Sequence, residues 1–251
     1  MSSRRPHSLA LCLACAMVVS AGCGGGHSTR AADRPAASGA APATSTPPPN
    51  FDVDHVRTSL LPPKEIAKGI KTQSPTFPGL TEAGVPACSA SIVHLPGRPR
   101  TLARQLRSNK PGHSAGYTDT SYVQLIAVYP DATAASGAMA KIRGKAKSCP
   151  AKRHFPAKRH GKKVIATAHT DTWTATENTV AGWVHLRGFE KLMAPASASK
   201  FNVFYDVYDY ATRGNVLAAS LYWERVAPTA AGQQTADHAT TVLTKQLQKI
   251  G

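Results

Sequence analysis

The run Tyr122-Val123-Gln124-Leu125-Ile126-Ala127-Val128-Tyr129 is halted by Pro130 and followed at once by Asp131 and an alanine-rich stretch, which leaves this part of the chain few options. Aromatic and β-branched residues with almost no polar interruption predict a strand buried in a sheet. Asp131 then stands where a helix needs its N-cap, and Met139 and Ile142 fall at helical spacing. Ala132 to Lys147 is therefore expected to be a helix running into Cys149.

Downstream the pattern turns to strands, over Val164 to Thr170, Thr179 to Phe189, Phe201 to Ala211 and Asn215 to Arg225. Thr212-Arg213-Gly214-Asn215 has the chemistry of a hairpin turn between the last two. From Gln234 to Ile250, Ala239, Val242, Leu243, Leu247 and Ile250 recur at helical spacing and predict a closing amphipathic helix. Upstream, Ser59 to Ala67 predicts a short helix with proline in its first turn and Leu60, Leu61, Ile66 and Ile70 on its apolar side. Phe77 to Ala87 is rich in Pro and Gly and reads as loop, and Ser89 to Leu95 as a short strand. The expected class is α+β: an antiparallel sheet with helices packed on one side.

The beginning of the chain carries a different kind of information. Arg4 and Arg5 precede an apolar run from Leu9 to Val19 and then Ser20-Ala21-Gly22-Cys23. A basic start, a short apolar segment and small residues at the cut are the anatomy of an export signal. Val19-Ser20-Ala21-Gly22-Cys23 resembles a bacterial lipobox, which implies cleavage before Cys23 and acylation, including palmitate, on that cysteine. Plain secretion is the alternative. Arg4-Arg5 followed by Pro6-His7 fits a twin-arginine signal poorly. The apolar run is shorter than the roughly 20 residues a spanning helix needs, so the chain is expected to be anchored to the extracytoplasmic face of the cell membrane and not to cross it. Residues 24–50 are built of Gly, Ala, Ser, Thr and Pro, and lack the large apolar residues whose burial would offset the entropy of ordering. They are expected to be a disordered tether, leaving 51–251 as one folded domain.

Of five cysteines, Cys12 and Cys15 leave with the signal and Cys23 takes the lipid. Cys88 and Cys149 remain, and in an oxidising compartment the economical expectation is one disulfide between them.

The formal net charge is +16. Much of the excess lies between Lys141 and Lys163, where no acidic residue occurs and Ala151-Lys152-Arg153-His154 recurs as Ala157-Lys158-Arg159-His160. Such density concentrates anions, so Lys152, Arg153, Lys158, Arg159, Lys162 and Lys163 are candidate polyanion contacts. A solvated loop is the bland alternative. Arg98, Arg100, Arg104, Arg107 and Lys110 form a second basic group. Outside the membrane the available polyanions are anionic lipid headgroups and wall polymers. The export signal excludes intracellular nucleic acid.

The opening Leu60-Leu61-Pro62-Pro63-Lys64-Glu65-Ile66, Cys88, the unit from Val123 to Cys149 with Tyr129-Pro130-Asp131-Ala132, and Arg213-Gly214-Asn215-Val216-Leu217 before a final helix together resemble one family. It is the PknH-like extracytoplasmic sensor domain of actinobacterial receptor kinases and related lipoproteins. The resemblance implies a ligand-sensing or surface-binding module with an antiparallel sheet and a cleft. Family members commonly carry two disulfides where this chain can form one, and only Cys88 and Cys149 transfer, as a structural pair.

No His-Glu-x-x-His, Gly-x-Ser-x-Gly or phosphate-loop pattern is present, and no cofactor, metal site or catalytic residue is expected. Asp206 and Asp209 sit close together in a strand, but their odd spacing places them on opposite faces, against a shared acid–base role. Trp173, Trp183 and Trp223 are expected in the core more than along a cleft. The function expected is a sensor-type binding lipoprotein taking a small envelope ligand or a polyanion. The alternatives are an exported hydrolase acting on wall or lipid, and a structural wall protein held by its basic loop.

Overall fold

A computed structural model describes residues 47–74, 84–89, 91–108, 119–197 and 201–251. The expected export signal with Cys23, most of the expected tether and Lys110 lie outside the described residues. In chain order the elements are α1 (Val53–Thr58), α2 (Pro63–Ile66), β1 (Lys71–Gln73), β2 (Gly84–Ala87), β3 (Ser91–His94), β4 (Arg100–Ser108), β5 (Asp119–Val128) and α3 (Ala132–Ser148). They continue with β6 (Lys152–Phe155), β7 (Lys158–His160), β8 (Lys163–Ala166), β9 (His169–Val180), β10 (Trp183–Met193), β11 (Val203–Arg213), β12 (Val216–Val226) and α4 (Gly232–Ile250).

Eight strands form one antiparallel sheet in the order β1-β4-β5-β12-β11-β10-β9-β6, while β2 with β3 and β7 with β8 form separate two-stranded ribbons. The long strands arise where β-branched and aromatic residues run unbroken, and two tight links set their register. Arg213 pairs with Val216 across Gly214-Asn215, as the turn chemistry predicts. Val180 pairs with Trp183 across Ala181-Gly182, both of which have positive φ. That second link lies inside the single strand expected over Thr179 to Phe189. Alanine in a left-handed turn position gives no Asn-Gly or Asp-Gly signal to read.

The fold is α+β, with the Cys88–Cys149 disulfide formed at a Cα separation of 5.9 Å. Its helices, however, cover both faces of the sheet. Val123, Leu125 and Ala127 of β5 pack with Ala135, Ala138, Met139 and Ile142 of α3, joined by Val85 and Val93 of the β2–β3 ribbon. The alternate residues Ile126 and Val128 pack with Leu243, Leu247 and Ile250 of α4 and with Val56 of α1. A strand that is apolar on both sides needs a cover on both sides, and the unbroken character of Tyr122 to Tyr129 already carried that requirement. Gly84 to Ala87, expected as loop, pair with β3.

Local chemistry fixes each helix. Asp131 accepts from the Ala134 amide at 2.8 Å and starts α3. On the other face Gln246 of α4 accepts from the Leu61 amide and donates to the Ser59 carbonyl, holding the N-terminal segment against the helix. Arg187 of β10 makes two bonds to Asp209 of β11 and reaches Thr240 and the Ala236 carbonyl of α4. Asp209 also meets Nε2 of His185 at 2.9 Å. Burial alone would raise the Asp209 pKa, but the hydrogen bonds and charges of His185 and Arg187 outweigh it and hold it below the usual carboxylate range.

Candidate functional site

The six cations singled out from sequence divide between the sheet-edge strand β6 and the two-stranded β7–β8 ribbon that follows it. Lys152 and Arg153 lie on β6, Lys158 and Arg159 on β7, Lys162 in the turn and Lys163 on β8; all are exposed except Arg153, which is partly buried. Among them stand Val164 and Ile165, 42% and 60% exposed, an unusual amount of bare apolar surface at a basic hairpin. The helical part of the basic run behaves differently, since Arg143 and Lys147 of α3 pair with Glu177 of β9 at 2.8 and 3.0 Å. The described members of the second basic group other than Arg98 lie on β4, with five strands between it and β6, so the two groups do not merge into one surface.

Between the β7–β8 hairpin and the α3 side of the sheet lies a cleft of about 370 Å³. Its floor is acidic. Asp171 of β9, Glu190 of β10 and Asp206 of β11 project from three neighbouring strands toward the same face, with Glu190 and Asp206 directly opposite each other. Ser89 caps Glu190 and Asp171 from the turn that follows β2. Its amide donates to Glu190 Oε2 at 2.8 Å, and its Oγ lies 2.6 Å from Glu190 Oε1 and 2.9 Å from Asp171 Oδ2. The Tyr208 hydroxyl adds a third bond to Glu190 at 2.8 Å. Ser89 has φ of 61°, in the left-handed region, and it follows Cys88, which the disulfide ties to the end of α3. The disulfide thus aims Ser89 at the carboxyls.

The proton count of this cluster is informative. A hydroxyl has one hydrogen, so Ser89 Oγ serves only one of these two carboxylate oxygens at a time. Burial and the charges of Glu190 and Asp171 push the Asp206 pKa up to about 8. Asp206 and Asp209 do lie on opposite faces as their spacing predicts, and share no chemistry. The partners of Asp206 come from β9 and β10, which no local spacing reveals.

Aromatic and apolar side chains complete the cleft. Phe155 stacks on His169 with ring centres 4.8 Å apart and carries Arg153 over its other neighbourhood at 4.7 Å. Trp223, Leu192 and Leu221 line the far wall, and Lys158 reaches the rim. Of the three tryptophans, Trp173 and Trp183 are core and Trp223 faces the cleft. Among the described residues no group of three or more His, Cys, Asp or Glu is arranged to hold a metal ion, and no helix is long and apolar enough to cross a membrane. The chain matches no family model and no curated protein.

Proposed function

We propose that this chain is a lipid-anchored extracytoplasmic binding protein of the PknH-like sensor type, held near the membrane by Cys23 and docking on anionic envelope material through its basic hairpin. The observation that carries the reading is the convergence of Lys152, Arg153, Lys158, Arg159, Lys162 and Lys163 on β6 and the β7–β8 hairpin, which also walls the cleft. Between a wall polymer and a lipid surface, exposed Val164 and Ile165 favour lipid: apolar side chains on the two faces of a cationic ribbon suit insertion into the interfacial region of an anionic bilayer, where each cation contributes about 1 kcal/mol. The test is flotation of the Cys23→Ala chain with anionic and neutral vesicles and with soluble wall polymer at two salt concentrations. Neutralising Lys158, Arg159, Lys162 and Lys163 is expected to weaken anionic-vesicle binding by about 100-fold or more. Binding that ignores salt and these substitutions would end the docking role of the hairpin.

A hydrolytic reading draws on one arrangement, Ser89 held in a left-handed conformation against two carboxyls. It is the weaker one because Glu190 already takes the Ser89 amide, a donor that serine hydrolases commonly aim at the oxyanion. Covalent labelling of Ser89 by a fluorophosphonate would reverse that order.

A further inference from the structure

The floor of the cleft has a charge that the protein does not balance. Glu190 is supplied by the Ser89 amide, the Ser89 hydroxyl and the Tyr208 hydroxyl. Asp171 is supplied only in part: Ser89 Oγ lies 2.9 Å from its Oδ2, but the residue is 3% exposed, lies in the cleft wall, and its Oδ1 has no hydrogen-bond partner. The basic group closest to it among the described residues, Nε2 of His169, stops at 3.9 Å while the other ring nitrogen is engaged by the Thr167 carbonyl. On Asp206 the influences are burial and the two neighbouring carboxyls, with no donor among them. An unpaired buried carboxylate oxygen is costly, and a cavity of about 370 Å³ stands open beside this one.

We propose that this cleft binds the protonated amine of a small ligand with an apolar body, its N–H groups bonding to Asp171 and Asp206 while Leu192, Leu221 and Trp223 enclose the carbon skeleton. An N–H-bearing cation fits where a quaternary one does not, because Asp171 Oδ1 lacks a donor and not merely a charge. A single ammonium fits better than a polyamine, because Lys158 at the rim repels a second positive charge. A bare divalent ion is disfavoured by the absence of a metal-holding arrangement among the described residues. With its pKa pushed up to about 8, Asp206 carries a proton at pH 7 that the amine displaces, so binding releases protons. The titratable and charged groups that face this event are Asp171, Glu190, Asp206, His169, Tyr208 and Lys158. The proposal rests on the reading of the chain as a binding protein, and names the chemistry of its cleft; it does not depend on lipid docking by the hairpin.

The experiment is calorimetric titration of the full chain with 2-phenylethylamine, with 2-phenylethanol as the uncharged analogue and with the N,N,N-trimethyl derivative as the cation without N–H donors. The amine is expected to bind about 10- to 100-fold more tightly than either analogue. At pH 7 its apparent heat should depend on the ionisation enthalpy of the buffer, reporting proton release. Asp171→Asn should remove the preference for the amine while salt-sensitive binding to anionic vesicles persists; Asp206→Asn, at a less buried position, gives the same reading if the first variant does not fold. Equal affinities for amine and alcohol, amine binding untouched in both variants, or saturable binding of Ca²⁺ or Mg²⁺ that excludes the amine would each overturn the proposal. If amines fail while vesicles still bind, the cleft proposal falls alone. If neither binds, the binding-protein reading falls with it.

Discussion

Two aspartates three residues apart show how far a single position is governed by what surrounds it. Asp209 is buried against His185 and Arg187 and is held ionised. Asp206 points to the other face, where its neighbours are carboxyls, and its pKa is pushed up to about 8. A group whose folded pKa lies above its unfolded value binds more protons in the folded state, so its contribution is fully present below about pH 4 and is lost as pH rises through about 8. Stability is therefore expected to fall across that window, and Asp206→Asn to flatten the decline, as urea unfolding at pH 5 and pH 8 would show. For Asp209 the sign is opposite. Arg187→Ala leaves a buried carboxylate short of its bidentate partner and is expected to cost about 3 kcal/mol in the same measurement. Their placement on opposite faces follows from odd spacing in a strand, which any reader of the sequence can count. Their opposite chemistries do not, because each is set by side chains on other strands.

Among the elements, β9, β10 and β11 are held in register by a feature without a side chain. Trp173 of β9 lies across Gly188 of β10 to meet Tyr208 of β11, with ring centres 5.4 Å apart. Its indole N–H donates to the Ala146 carbonyl of α3 at 3.0 Å. A Cβ on Gly188 would stand 2.1 Å from the Trp173 ring. Gly188→Ala must therefore displace the indole and is expected to destabilise by about 1–3 kcal/mol, with loss of the near-ultraviolet signal of a packed tryptophan. At the far end of α3 the disulfide closes a sequence separation of 61 residues. Cys88→Ser is expected to cost about 2–5 kcal/mol, and also to free the turn that carries Ser89. The strand-to-helix unit and the final helix were legible from periodicity, as was the pairing of Cys88 with Cys149 from the small number of cysteines left over. β4 was read only as a group of basic residues, since Arg100, Arg104 and Arg107 mask a strand whose Leu106 is fully buried.

In the whole molecule, charge is sorted by depth. An exposed hairpin of lysines and arginines borders a recess floored by carboxyls, so the net charge of +16 says what the surface attracts and nothing about the cleft. The proposed lipid anchor belongs to this scale as well. Cys23→Ala is expected to shift the chain from the membrane fraction to the soluble one, and detergent-dependent retention of that variant would defeat the lipobox reading. The amino-acid sequence by itself determined the β5–α3 unit, the last hairpin, the final helix, the α+β class, the single disulfide and the basic stretch, because each is written in neighbouring residues or in a short count. Only the tertiary structure decided that helices cover both faces, that the basic stretch folds into a hairpin over a cleft, and that Ser89, Asp171, Glu190 and Asp206 meet. Those four residues lie up to 117 positions apart by their numbering, from 89 to 206. Strand order brings the three carboxyls together and leaves no trace in the residues beside them, and the disulfide, legible from its cysteines, gives no sign of where it places Ser89.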